Sequence, residues 1–457
     1  MRNAAIFLCV TPSALAWGGH LDGVFAENIH ARLWRTAITG PPAYWDDDGW
    51  PHWTQGAFNN TPQEYELPGT YVNSPASGWT SGFFPDALWQ AYHRRTKLAD
   101  QETFPCEPST DTWLSMARAW TDPLQTNANL TNTHDLGFLA NPFHRAMEVT
   151  GEETYLPVLQ DMSNNLAARF EPVAGVIRSW DCNSFSDASY VAEDSVLAII
   201  DNMMNLALLA RSASTYTQNS THLDIARTHA DTTIEHFVRP DGSSFHVCDF
   251  STTTGDLYQC RTAQGLADDS TWARGQAWGI YGFAEFYSLT GEQRYLETSK
   301  RMADWFITHL PSDGLPFWDF NAEYSPGVTP RDSSAAAIAA SGMIMLQEQL
   351  DKEGDKHHPH KRPRSDYRKA AMDLLEATVD LALAKEITFA DMSIRGSEVS
   401  IDTPANTSVS SGFESILMHG TSNHPNGNYD TGLSYGDYYF VEAGNKLMES
   451  ARRSQDD

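Results

Sequence analysis

The stretch Val149-Thr150-Gly151-Glu152-Glu153-Thr154-Tyr155-Leu156 returns later in the chain as Leu289-Thr290-Gly291-Glu292-Gln293-Arg294-Tyr295-Leu296. Each copy follows a helix-period apolar pattern that contains aromatic residues, and each precedes another such pattern. The glycine is the residue expected where a helix stops, because a left-handed conformation carries little steric penalty there. Tyr-Leu then starts the next apolar stripe. Two such joints mean recurring helical hairpins.

Helix-period patterns occupy 21–39, 83–95, 110–120, 134–149, 155–170, 193–213, 223–237, 273–289, 295–310, 333–350, 367–383 and 436–450. The best strand pattern is 243–250 followed by 257–262, a hairpin around Ser251-Thr252-Thr253-Thr254-Gly255-Asp256. No linker rich in Pro or Ser divides the chain. The expectation is an all-α fold, a single toroid of nested helices over 17–457 with one small β-hairpin.

Of the 457 residues, 41% are hydrophobic and 20% charged, enough for a packed core. Aromatics make up 11%, with 14 Trp and 17 Tyr, which suits either an aromatic core or a cleft that stacks on sugar rings. The net charge of -28 argues against nucleic acid as a partner, since phosphate binding needs a basic footprint. An acidic substrate stays possible if a local cluster of Arg, His or amides compensates. No apolar run is long enough to span a membrane.

The N-terminus reads Met1-Arg2-Asn3, then the apolar run 4–10, then Ala14-Leu15-Ala16, the shape of a secretory signal over 1–16, with Pro12 shortening its apolar core. Secretion is the expectation, with the cytoplasm as the alternative. Of 5 Cys, Cys9 would leave with such a signal, and Cys106, Cys182, Cys248 and Cys260 would remain, an even number that suits an oxidising compartment. Cys248 and Cys260 flank the hairpin turn and can face each other across its strands. Glycosylation triplets occur at Asn59, Asn129, Asn219 and Asn406. The basic, Pro-broken stretch 351–369 reads as a solvated loop inserted between helices, and 45–50 as a surface turn rather than a calcium loop. No Cys/His set has metal-ligand spacing.

Hydrolysing a glycosidic bond needs carboxylates that can hold or release a proton. Asp135, in Thr133-His134-Asp135-Leu136-Gly137-Phe138, sits where a helix begins, and is either an N-cap or a cleft carboxylate. Asp201, in Ile199-Ile200-Asp201-Asn202-Met203-Met204-Asn205, is embedded in an apolar helical pattern. A carboxyl there is costly unless paired or used, and burial would raise its pKa toward that of a general acid. In Trp272-Ala273-Arg274-Gly275-Gln276-Ala277-Trp278, two Trp flank an Arg, which is either a stacking platform with a carboxylate receptor or a packed helix start with an ion pair. His246, in Phe245-His246-Val247, lies on the hairpin and is either structural or functional.

Read together, these segments resemble glycoside hydrolase family 88, the unsaturated glucuronyl hydrolases. The matching pieces, in family order, are Gly78-Trp79-Thr80-Ser81-Gly82-Phe83-Phe84-Pro85, His134-Asp135-Leu136-Gly137-Phe138, Arg178-Ser179-Trp180-Asp181, Ile200-Asp201-Asn202-Met203-Met204-Asn205-Leu206, Asp241-Gly242-Ser243 with Phe245-His246-Val247, Trp272 to Gly279, Pro316-Phe317-Trp318-Asp319-Phe320, Pro330-Arg331-Asp332-Ser333-Ser334-Ala335-Ala336, and Gly436-Asp437-Tyr438-Tyr439-Phe440.

The resemblance implies a six-fold (α/α) barrel and hydration of a C4=C5 double bond in a terminal uronate left by a polysaccharide lyase. By analogy Asp201 is the acid/base and Asp135 the second essential carboxylate. Trp79, Phe83, His134, His246, Gln264, Trp272, Arg274 and Trp278 are the implied contacts to the sugar. The partner is then an acidic oligosaccharide, and no metal or other cofactor is expected, because hydration needs only a proton donor and water.

Four departures stand out. Ala263 precedes Gln264 where the family commonly has His, Asp86 follows Pro85 where Gly is usual, and neither 421–427 nor the basic loop 351–369 has a clear counterpart. The competing readings are an unsaturated rhamnogalacturonyl hydrolase acting on pectin fragments and an inactive sugar-binding protein on the same fold.

Overall fold

The computed structural model describes residues 19–38, 48–55, 69–98, 104, 106–181, 192–353, 366–389, 394–395, 398–399 and 413–456. Outside them lie the leader-like segment 1–16, residues 354–365 of the basic loop, Cys182, Asn59, Asn406 and residues 45–47 of the 45–50 turn.

Twelve α-helices occur among the described residues. They are α1 (Glu27–Ala37), α2 (Phe83–His93), α3 (Thr110–Thr121), α4 (Leu136–Thr150), α5 (Leu156–Ala167), α6 (Leu206–Arg211), α7 (Ser220–His236), α8 (Ala273–Thr290), α9 (Gln293–His309), α10 (Ser333–Glu353), α11 (Tyr367–Ala382) and α12 (Ser434–Asp456). The even-numbered helices pack in sequence, and α12 packs on both α10 and α2, closing an inner ring. The odd-numbered helices back onto them from outside. This is the expected (α/α)6 barrel. The inner α8 and α10 are buried on nearly every face. The outer α9 buries one stripe, with Tyr295, Leu296, Met302 and Phe306.

Both repeat glycines end inner helices. Gly151 (φ 75°) closes α4 and Gly291 (φ 69°) closes α8. Each donates its N–H to the carbonyl four residues back, Met147 at 2.8 Å and Tyr287 at 2.7 Å, the bond that ends a helix in a left-handed residue. Tyr155 and Tyr295 then enter the core as the chain turns back.

Short antiparallel strands decorate the barrel: β1 (Asp48–Thr54) with β2 (Tyr71–Pro75), β3 (Phe170–Glu171) with β4 (Val176–Ile177), β8 (Ile394–Arg395) with β9 (Glu398–Val399), and β10 (Gly420–Asn423) with β11 (Asn428–Thr431). The three-stranded sheet is β5 (Ser195–Ile199), β6 (Val247–Ser251) and β7 (Leu257–Arg261), in that order. Its β6–β7 hairpin is the expected one. Cys248 and Cys260 are directly opposite in register and joined by a disulfide, while Cys106 is free and exposed.

The sequence expectation fails at 193–213. That segment is not one helix but β5, a 3₁₀ turn over Ile200–Asn205, and the short α6. Ser195–Ile199 pairs with β6 from Ser195↔Ser251 to Ile199↔Val247. A short apolar run rich in Val and Ile fits a buried strand as well as a helix, and an available edge decides between them. Likewise 21–39 divides into a 3₁₀ helix, Gly19–Phe25, and α1.

Candidate active site

The β5 correction moves Asp201 from mid-helix to the second residue of a 3₁₀ turn directly after a strand. The start of α4 meets this turn because residue 137 is glycine. A Cβ there would lie 2.5 Å from Asn205 Cα. The approach lets Phe138 N–H donate to Asn205 Oδ1 at 3.1 Å, and the loops bearing Asp135 and Asp201 are thereby joined.

Asp135 occupies the N-cap position of α4, yet its side chain makes no capping bond. Its carboxylate instead accepts from Thr133 Oγ1 at 2.8 Å and lies 3.3 Å from His134 Nε2. It is 22% exposed, so it reaches solvent while held from behind.

Asp201 is buried, and burial pushes its carboxyl up to about 6. His134 and Arg274 oppose this shift, and the charge of Asp135 reinforces it. His246 Nε2 stands 4.0 Å from Asp201 Oδ2. The imidazole's Nδ1 faces the backbone N–H groups of Ala263 (3.2 Å) and Gln264 (3.4 Å), which makes Nδ1 the acceptor and Nε2 the protonated nitrogen. Burial first, then the positive Arg274, pushes His246 down to about 3, so it is a neutral hydrogen-bond donor rather than an ion-pair partner. Neither His246 Nε2 nor Asp201 Oδ2 has a hydrogen-bond partner.

Around this pair the expected aromatic residues divide by exposure. Trp79 is half-buried and packs edge-on to Phe83 at 5.8 Å and tilted against Phe138 at 5.7 Å. Phe83 and Trp278 have no exposed surface, and they pack on Phe138 and Tyr439 as an aromatic floor. Trp272 is buried against the His246 ring, 4.3 Å between centroids, with the Arg274 guanidinium 4.5 Å from its own ring. Of the four, Trp79 alone offers accessible ring surface. The other three hold neighbours in place.

Arg274 also differs from the simple expectation. Its Nη1 bonds Asp332 Oδ2 at 3.0 Å and the Thr421 carbonyl, and its Nη2 bonds Gln264 Oε1 and the Ser422 carbonyl, both at 2.7 Å. Its Nη protons are therefore committed to the protein. What it offers a substrate carboxylate is its positive charge, and it fixes the Gln264 side chain and the β10 backbone beside the site.

The chain is 32% identical over 393 residues to an unsaturated glucuronyl hydrolase of Formosa agariphila, with 84% of each protein covered. It belongs to glycoside hydrolase family 88, the unsaturated glucuronyl hydrolases. Membership makes it a glycoside hydrolase. It is also 28% identical to an unsaturated chondroitin disaccharide hydrolase of Streptococcus pneumoniae, over 83% of this chain and 85% of that one. Among solved structures it is similar to an unsaturated glucuronyl hydrolase specific for heparin, with a TM-score of 0.74, 30% identity and 95% and 98% of the two chains covered. No family model matches the chain.

The structure brings to the site several residues outside the implied set of sugar contacts. Tyr435 packs tilted against Trp79 at 4.9 Å, and Arg274 sits 5.3 Å from its ring. It directly precedes the Gly436-Asp437-Tyr438 motif and was legible only as one more aromatic residue. His52, on β1, meets Trp79 edge-on at 6.3 Å, and burial together with Arg274 pushes it down to about 4. Trp180 and Ala263 pack together against Leu197, Ile199 and Val247, so Ala263 forms part of the wall beside His246. On the unmatched segment 421–427, His424 stacks on Trp318 at 3.9 Å with the ring planes nearly parallel, next to the carbonyls that hold Arg274. Asp86, another departure, lines a cavity with Arg145, Tyr438 and Glu442, and Asp201 is not among the residues lining it.

Proposed function

We propose that this enzyme removes a terminal C4=C5-unsaturated glucuronate from lyase-generated acidic oligosaccharides, with Asp201 as acid and base. The observation that carries the assignment is the buried Asp201 carboxyl, raised to about 6 and facing the unpaired Nε2–H of His246. A carboxyl raised into that range holds its proton at mildly acidic pH and can still release it.

In this reading Asp201 gives its proton to C4 of the vinyl ether. Water adds to C5 and returns a proton to Asp201. The C5 hemiketal opens to a ketone, which frees the ring oxygen, and the C1 hemiacetal left behind expels the aglycone as an alcohol. One water is consumed and the acid is regenerated, so a second nucleophilic carboxylate has no bond to form. Asp135, 22% exposed, bonded by Thr133 and 3.3 Å from His134, accepts hydrogen bonds from ring hydroxyls in this reading. His246 Nε2–H donates into the gap beside Asp201. Trp79 supplies the ring surface, and the Arg274 charge attracts the uronate within a molecule of net charge -28.

The test is loss of the ultraviolet absorbance of the conjugated double bond, with unsaturated disaccharides from chondroitin, hyaluronan, heparin and rhamnogalacturonan. A fall with a glucuronyl substrate supports the reading and ranks the aglycones. A fall with the pectin fragment alone would make the chain a rhamnogalacturonyl hydrolase in practice, and no fall with any would make it an inactive binder. We also read the chain as exported, since the Cys248–Cys260 disulfide suits an oxidising compartment. The mass of the mature N-terminus tests that reading.

A further inference from the structure

Ser179 has no exposed surface and joins the two aspartate-bearing segments through its backbone. Its N–H donates to the Leu197 carbonyl on β5 at 3.1 Å, and its carbonyl accepts from His134 N–H at 3.0 Å. One residue thus ties the strand that leads into Asp201 to the residue that precedes Asp135.

The hydroxyl repeats this link with a directional consequence. Ile199 N–H donates to Ser179 Oγ at 3.0 Å, and Oγ lies 3.2 Å from His134 Nδ1. A serine hydroxyl has a single proton to give. Among the hydrogen bonds of the described residues, the His134 Nδ1 contact is the one route for it. Nδ1 is then the acceptor, and the His134 proton resides on Nε2, the nitrogen 3.3 Å from Asp135 Oδ1. The opposite tautomer would set a nitrogen lone pair against a carboxylate oxygen and push Asp135 away.

We propose that Ser179 is a positioning residue for the reaction, fixing the tautomer and ring orientation of His134 so that its Nε2–H faces the Asp135 carboxylate, 3.3 Å away, beside Asp201. The proposal rests on the reading above, in which Asp135 accepts hydrogen bonds from the ring hydroxyls of the sugar that Asp201 protonates. Ser179 touches neither carboxylate and acts through His134. Removing the hydroxyl frees the imidazole to rotate or change tautomer, and displacements of this kind near reacting groups cost up to about a hundredfold in rate.

Two measurements test it. In the full-length protein with ¹⁵N-labelled histidine, assigned through His134→Gln, the His134 signals should show a protonated Nε2 and an unprotonated Nδ1. Ser179→Ala should shift them toward a mixture. In kinetics, Ser179→Ala should lower kcat about tenfold or more while KM stays within about threefold, and Ser179→Thr, which keeps a hydroxyl, should recover most of the loss. Unfolding temperatures of both variants show whether each is folded. A protonated Nδ1 in the parent protein, or full kcat in a folded Ser179→Ala, would overturn the proposal. If Ser179→Ala does not fold, the parent's ¹⁵N signals still decide the tautomer. If the parent hydrates no unsaturated uronate, the functional reading fails separately and those same signals decide the hydrogen-bond chain.

Discussion

Asp201 Oδ2 and His246 Nε2 face each other at 4.0 Å, and neither atom has a hydrogen-bond partner. Leaving two buried polar groups unsatisfied costs stability, of the order of 1–3 kcal/mol for each. They define a gap with an acceptor on one wall and a donor on the other, suited to a hydroxyl or a water. Asp201→Asn keeps the shape and removes the transferable proton. It should lower turnover by about 10²–10⁴-fold while an unsaturated disaccharide still binds. Calorimetric titration beside the absorbance assay checks both halves, and turnover within a few-fold of the parent would remove Asp201 from its role.

The pH profile follows from the same pair. Asp201 must be protonated to act as acid, and burial holds its carboxyl at about 6. The kcat/KM should therefore fall as pH rises through about 6. His246, pushed down to about 3, stays neutral from pH 5 to 8 and adds no limb of its own. Replacing His246 with Gln should lower the rate and leave the position of that limb in place. A limb that vanished with His246 would instead make the histidine the titrating group.

The fold was legible where local chemistry decides it. Gly151 and Gly291 end helices because of their backbone freedom, and the hairpin around Ser251–Asp256 was marked by its turn residues. It was misread at Ser195–Ile199, where an apolar run becomes a strand only because β6, at Val247–Ser251, offers an edge far away in sequence. The same error misplaced Asp201 in a helix, although its burial was read correctly from its apolar neighbours. The site was legible as residue types but not as directions. Nothing in the sequence distinguishes Trp79, with its accessible ring, from Trp278, sealed beneath Phe138, because ring exposure is settled by how helices far apart in sequence meet. Ser179 was visible only inside a motif, since a hydroxyl acts through partners that the chain places beside it on folding.

Gly137 should tolerate no side chain. The added Cβ would sit 2.5 Å from Asn205 Cα and 2.6 Å from its Oδ1, so the α4 start and the Asp201 turn would have to separate. Overpacking of this kind costs about 1–3 kcal/mol. Gly137→Ala should lose that much stability in urea unfolding and a larger share of kcat than any loss of folded protein explains, because the displacement falls between the two aspartates. A variant with reduced stability and full kcat would show that their spacing is not set at this contact.

Asp86 gives a pH dependence of stability whose direction can be derived. It is buried in α2 beside a cavity of about 220 Å³, with Arg145 Nε 3.6 Å from its Oδ1. Burial pushes its carboxyl up to about 7, with Arg145 opposing and Glu442 and Glu148 reinforcing. The folded protein therefore holds this proton more tightly than the unfolded chain, where an Asp titrates near 4 (roughly the free side-chain value). The resulting stabilisation is complete below about pH 4 and is lost as pH rises to about 7. Asp437, also raised to about 7 on α12, adds to the slope of the parent but is common to both proteins and cancels in their difference. Asp86→Asn cannot titrate, so its stability relative to the parent should rise between pH 4 and pH 8 by up to a few kcal/mol. Urea unfolding of both proteins at pH 4.5, 6 and 8 measures that difference directly. A relative stability that falls with pH would mean that the Arg145 pairing outweighs burial and that Asp86 is ionised in the folded protein at neutral pH.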